Sequence, residues 1–125
     1  MAKQFRRLPD GELAIMQILW DQEGPVGRAE VERTANEDHP QATTTILTLL
    51  SRLVDKGFVA AEKDGRSNLY RPLVSRRDYL AQESRGVLDR LFGGSLASFA
   101  VALSDGGVRP EELEELRRLL EEKRL

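Results

Sequence analysis

The chain has no cysteine and a single histidine among its 125 residues. Without thiols it can build neither a disulfide framework nor a thiolate metal site. One imidazole, His39, leaves a histidine-based catalytic or metal centre with nothing to assemble, and a lone loop histidine is usually structural or idle. No apolar run approaches the roughly 18 residues that a membrane-crossing helix needs. The basic N-terminus is followed by no apolar signal segment. There is no glycine-rich phosphate loop and no nucleophile with a base beside it. These absences point away from an enzyme, a cofactor protein and membrane insertion, and towards the cytoplasm.

What is present is charge and helical pattern. Hydrophobic residues make up 40% and charged residues 32%, the balance of a soluble globular chain long enough for one domain or two small ones sharing a core. The net charge of −2 argues at first against a polyanionic partner. Its distribution does not. Residues 41–77 carry seven bases (Arg52, Lys56, Lys63, Arg66, Arg71, Arg76, Arg77) against three acids, and Lys3, Arg6 and Arg7 stand near the start with no acid among residues 1–7. From 78 onward there are ten acids and seven bases. A basic patch can serve phosphates in an acidic chain, although an ordinary solvated surface explains it as well.

Along the chain, Leu13, Met16, Leu19 and Trp20, widened by Ile15 and Ile18, predict a first helix from Asp10 to about Gln22, ended by "EGP". A short second helix fits Arg28 to about Asn36, with Val31 and Ala35 inward, and "EDHP" turns the chain. The third begins in "QATTTILTLLSRLVDKGFV", where Ile46, Leu49, Leu50 and Leu53 recur at helical spacing and Gly57 follows Lys56 as a stop. The period then changes. Two strand-like runs flank Asp64-Gly65, which predicts a β-hairpin with Arg66 at its tip. After Val74, "SRRDYLAQESRGVLDRLFGG" reads as a helix with Ser75 as a cap. A second stripe runs through Leu96, Phe99, Ala100 and Leu103, and a final helix starts at Pro110.

Three helices and a hairpin predict a mainly α chain. It would have a winged helix-turn-helix over 1–75 and a helical dimerisation domain over 76–125. In such a fold the third helix enters the DNA major groove with its N-terminal residues at the bases. That gives the threonine run a use. Thr43, Thr44, Leu47, Thr48 and Ser51 face away from the core stripe, where hydroxyls can bond to phosphates or base edges and methyls can touch thymine methyls, and Thr45 is a further candidate contact. Arg52 and Lys56 at the far end of that helix are candidate backbone contacts, equally explained as charges that suit the helix dipole, and Arg66 on the wing would reach a phosphate or the minor groove. For any one threonine, simple N-capping is an equal alternative. The C-terminal apolar residues Leu88, Leu91, Phe92, Leu96, Phe99, Leu103, Leu113, Leu116 and Leu120 are too many for two short helices to bury on each other. Pairing with a second chain, or folding back on the same one, would cover them. A two-fold dimer would match a pseudo-palindromic double-stranded operator.

"ELAIMQILW" (12–20), "TTTILTLLSRLVDKGFV" (43–59), "GRSNLYRPLV" (65–74) and "LFGGSLASF" (91–99) resemble the BlaI/MecI penicillinase-repressor family, which includes the copper repressor CopY. The resemblance implies a dimeric winged-helix repressor that holds operator DNA until a signal removes it. In antibiotic-responsive members a membrane sensor protease acts, indirectly, to cleave the repressor in its dimerisation region. Here that bond would fall at Ala102-Leu103, where better-known members carry Asn-Phe and this chain does not. The CopY metal cluster is excluded by the missing cysteines, and Pro9 replaces the family's usual hydroxyl cap. A reading of a different class is a winged-helix protein-interaction module without specific DNA binding.

Overall fold

The computed structural model describes residues 5–38 and 40–123, so Lys3 and His39 lie outside the described residues. In chain order the elements are α1 (Asp10–Trp20), β1 (Val26–Gly27), α2 (Arg28–Asp38), α3 (Thr43–Asp55), β2 (Val59–Asp64), β3 (Ser67–Pro72), α4 (Arg76–Phe92), α5 (Leu96–Asp105) and α6 (Pro110–Lys123). The chain divides into two compact units, Met1–Glu83 and Ser84–Leu125.

In the first unit, α1, α2 and α3 close over a core of Ile15, Met16, Leu19, Val31, Ile46, Leu50, Leu53, Phe58 and Val59, all at or near zero exposure. Helix α1 stops two residues short of the expected Gln22. There the Gln22 N–H bonds the Leu19 carbonyl only three residues back, and the last turn tightens out of α geometry. Its buried stripe is also rotated from the expected one. Glu12, Ile15, Met16 and Leu19 are buried, while Leu13, Ile18 and Trp20 are half-buried. Helix α2 runs on to Asp38 and absorbs the start of the anticipated "EDHP" turn.

Helix α3 ends as its sequence predicts. Gly57 takes φ +81°, which lets the Phe58 N–H reach the Leu53 carbonyl and the Gly57 N–H reach that of Val54. This double bond pattern needs a left-handed residue at that point, and glycine adopts it without Cβ strain. The wing pairs Val59 with Pro72 through Asp64 with Ser67, leaving a two-residue turn of Gly65 and Arg66. Gly65 sits at φ +66°, as tight hairpins of this length require. The sequence pattern did not show β1. Val26 and Gly27 pair with Tyr70 and Leu69, making a three-stranded antiparallel sheet in the order β1-β3-β2.

The first turns of α4 belong to this unit, well beyond residue 75. Tyr79 is buried, stands edge-on to Phe58 and accepts a hydrogen bond from the Leu8 N–H at 2.9 Å. Gln82 exchanges two hydrogen bonds with the Phe5 backbone, and Arg7 pairs with Glu83. Trp20 donates to the Val74 carbonyl at 2.8 Å, and the Arg76 guanidinium lies over its ring while bonding Asp21. Ser75 caps α4 by accepting from the Asp78 N–H.

The second unit is different in kind. Leu88 is its one buried side chain among the described residues, and α5 has none. Phe92 and Phe99 meet at 5.2 Å. Ser95 caps α5 through the Ser98 N–H, and Glu112 returns a bond to the Arg109 N–H ahead of α6. No single described helix is long and apolar enough to cross a membrane.

Candidate nucleic-acid interface

The threonines do not cap α3. Ala42 holds the N-cap position with no side-chain bond, which leaves Thr43 and Thr44 inside the first turn. Their N–H groups precede the first intrahelical bonds, in which Thr45 and Ile46 both donate to the Ala42 carbonyl. Such a helix start offers oriented donors and a partial positive charge to a phosphate.

At 100° per residue, Ile46, Leu49, Leu50 and Leu53 turn to the core and the opposite face carries Thr44, Thr48 and Ser51. All three are exposed, as are Thr43, Thr45, Leu47 and Arg52. Thr43 and Leu47 flank this face on one side, Thr45 and Arg52 on the other. Thr48 Oγ1 donates to the Thr44 carbonyl at 2.8 Å, so its methyl and its lone pairs remain for a ligand. Asp55, also exposed, stands at the C-terminal end of the same face. Its charge disfavours phosphate there and restricts close approach to the first turns of the helix.

A cleft beside α3 joins three elements. Leu47 lines it from the helix, Gly27 and Arg28 from the junction of β1 and α2, and Arg66, Ser67, Asn68, Leu69 and Tyr70 from the wing. This accounts for an exposed leucine at 36% and brings Arg66 beside it. Arg52 is not among the residues lining that cleft. Arg28 and Asn68 were missed from the sequence. The signal that could have found Arg28 is a cation at the first position of a helix, where its own dipole makes it an unfavourable capping choice. Its contact with Glu32 is loose, with Nε 3.4 Å from Oε1 and no hydrogen-bond geometry.

Ion pairing thins the basic patch. Arg71 bonds Glu62 at 2.6 Å, Arg76 bonds Asp21, and Lys56 turns inward to Glu12. Lys56 was a candidate backbone contact, but at 19% side-chain exposure its ammonium serves the core. Arg52, Lys63, Arg66 and Arg77 have no ion-pair partner among the described residues. Of these, Arg52 flanks the threonine face and Arg66 lines the cleft beside Leu47, and unpaired cations there suit a polyanion better than an apolar partner.

The sequence matches the family described as Penicillinase repressor over residues 8–122. It is 31% identical over 121 residues to the penicillinase repressor of Bacillus licheniformis, spanning 96% of this chain and 94% of that protein. Among solved structures, the fold is similar to the solution structure of the DNA binding domain of the repressor BlaI. That match has 30% identity and a TM-score of 0.55, over 62% of this chain and 93% of that one. It is also similar to the monomeric form of Bacillus licheniformis BlaI in complex with the blaP half-operator. There the identity is 29% and the TM-score 0.52, over 61% of this chain and 92% of that one. The winged-helix architecture expected from the helix and hairpin pattern is borne out by these structures.

Proposed function

The chain belongs to the penicillinase repressor family, and from that premise we propose that it is a cytoplasmic, homodimeric transcriptional repressor that occupies a pseudo-palindromic DNA operator. The observation that carries this reading is the joint presentation of the uncapped Thr44–Thr48–Ser51 face and the Leu47 cleft with its two arginines. A relative with a similar fold was solved on a half-operator. In this reading α3 enters the major groove. Thr43, Thr44 and Thr48 meet base edges or phosphates, Leu47 meets a thymine methyl, and Ser51 lies further along the groove. Arg28 and Arg66 take phosphates on the wing side and Arg52 on the other.

Dimerisation falls to the residues after Glu83. Leu91, Leu96, Leu116 and Leu120 are exposed there, with Phe92, Phe99, Leu103 and Leu113 half-buried and Leu88 buried beside them. A second copy would cover that apolar surface and set two α3 helices about one or two helical turns of DNA apart. The release signal is unknown; proteolysis at Ala102-Leu103, triggered indirectly by a membrane sensor protease, is the route that the family resemblance implies, and the missing Asn-Phe pair counts against it.

Fluorescence anisotropy with duplex DNA from upstream of the protein's own gene, against a scrambled duplex and across a salt series, tests the reading. Tight, selective binding with a steep salt slope is expected, because bound phosphates release counterions. Arg28→Ala and Arg66→Ala should each lower the magnitude of that slope by about one and weaken both duplexes alike. Equal and feeble binding to both duplexes would hand the threonine face to a protein partner instead.

A further inference from the structure

The buried stripe of α1 is headed by a carboxylate. Positions 12, 15, 16 and 19 follow at i, i+3, i+4 and i+7, and Glu12 is as buried as the core around it, at 2% exposure. A charge out of water needs a partner. Lys56 supplies it, with Nζ 2.5 Å from Glu12 Oε1 across 44 residues of sequence. Glu12 stands in the first turn of α1, and Lys56 is the C-cap of α3. Each charge therefore lies at the helix end whose dipole favours it, and the pair joins the start of one helix to the end of the other. The same end of α1 meets α3 a second time. A Cβ at Gly11 would lie 3.4 Å from Leu49 Cδ2, so the backbone itself approaches α3 closely there.

The apolar contacts of Ile46, Leu50 and Leu53 are non-directional and tolerate a small roll or slide of α3. A hydrogen-bonded charge pair does not. Replacing such a pair with apolar residues of similar volume often leaves stability unchanged or raises it. Stability alone is thus a weak reason for placing a glutamate in this core.

We propose that Glu12 is a positioning residue for duplex recognition. By holding Lys56 at the end of α3 it sets the tilt and register of that helix, and with them the places where Thr44, Thr48 and Ser51 meet base edges. The inference rests on the reading of α3 as a DNA-recognition helix. Glu12 touches no DNA itself, so its loss should change discrimination and leave phosphate contacts alone.

The test compares the full-length protein with Lys56→Arg, Glu12→Gln and the double variant Glu12→Leu with Lys56→Met. Thermal midpoints are measured beside affinities for the upstream duplex and the scrambled one. The double variant should stay folded and bind the scrambled duplex with unchanged affinity and salt slope. Its preference for the upstream duplex should fall about tenfold, the scale of one mismatched base pair. Lys56→Arg, which keeps the charge, should retain most of that preference. Full preference in the double variant would overturn the proposal, and so would an equal loss on both duplexes. If the double variant does not fold, Glu12→Gln decides by the same ratio, since it removes the charge and keeps the volume. A parent protein with no preference for either duplex marks failure of the DNA reading itself, and the proposal falls with it.

Discussion

The two units of this chain spend similar residues in opposite ways. Met1–Glu83 buries a closed set of aliphatic side chains, Ile15, Met16, Leu19, Val31, Ile46, Leu50 and Leu53 among them, seals it with Tyr79, Phe58 and Trp20, and holds a charge pair at its edge, while Leu73 and Leu80 stay about half exposed. Ser84–Leu125 has a comparable supply of leucine and leaves Leu91, Leu96, Leu116, Leu119 and Leu120 about half exposed or more. The difference is topological. Three helices and a sheet surround a core from several sides, whereas three short consecutive helices enclose almost nothing. In the proposed function, the closed core is the platform that presents α3 to DNA, and the open apolar face is the surface that a second copy would cover.

The largest expected effect falls on the closed unit. Tyr79→Ala removes a buried ring and the hydroxyl that accepts from Leu8, and should cost about 3–5 kcal/mol in urea unfolding followed by Trp20 emission. A change below about 1 kcal/mol would show that α4 is not part of the first core. Leu116→Asp attacks the open unit. The protein should become monomeric by light scattering, keep its Trp20 emission, and lose about a hundredfold in operator affinity as the effective concentration of the second half-site disappears. A persistent dimer would place the interface elsewhere. Thr44→Ala should weaken selective binding by roughly 1 kcal/mol with no change in thermal midpoint, since the side chain is exposed and caps nothing. Unchanged anisotropy would remove it from the contact face.

The smallest effect belongs to α6. A hydrogen bond from Arg117 holds the Glu114 carboxyl below its ordinary value, and Arg117 bonds Glu121 as well. A carboxylate with a lowered folded value stabilises the helix above the unfolded value and loses that contribution as pH falls through the folded one. Circular dichroism of the protein and of Glu114→Gln should therefore differ slightly at neutral pH and converge in acid. The difference should shrink in high salt, because both groups are fully exposed. A difference that survives high salt would mean that Glu114 acts in a buried interface.

Much of this was legible from local pattern. The spacing of Ile46, Leu50 and Leu53, the Gly57 stop, the Gly65 turn and the Ser75 cap are properties of neighbouring residues, and each was met in the fold. The exposed threonine face follows from the same period. What escaped was non-local. Strand β1 is only two residues long and exists because β3 offers it an edge. Arg28 reads as one charged residue among many until the wing folds beside it. Glu12 was passed over because a charged residue at the head of a stripe is read as solvated, although its spacing to Ile15, Met16 and Leu19 was already on the apolar face.

By itself, then, the sequence determined the helical period of α3, its stop at Gly57, the turn at Gly65 and which face of α3 is turned from the core, because these depend on residues within a few turns of one another. Only the tertiary structure decided which charges remain free for a ligand, which of them is enclosed between α1 and α3, and where apolar surface stays uncovered. Those outcomes depend on partners separated by dozens of residues, and burial has no meaning until the chain has closed on itself.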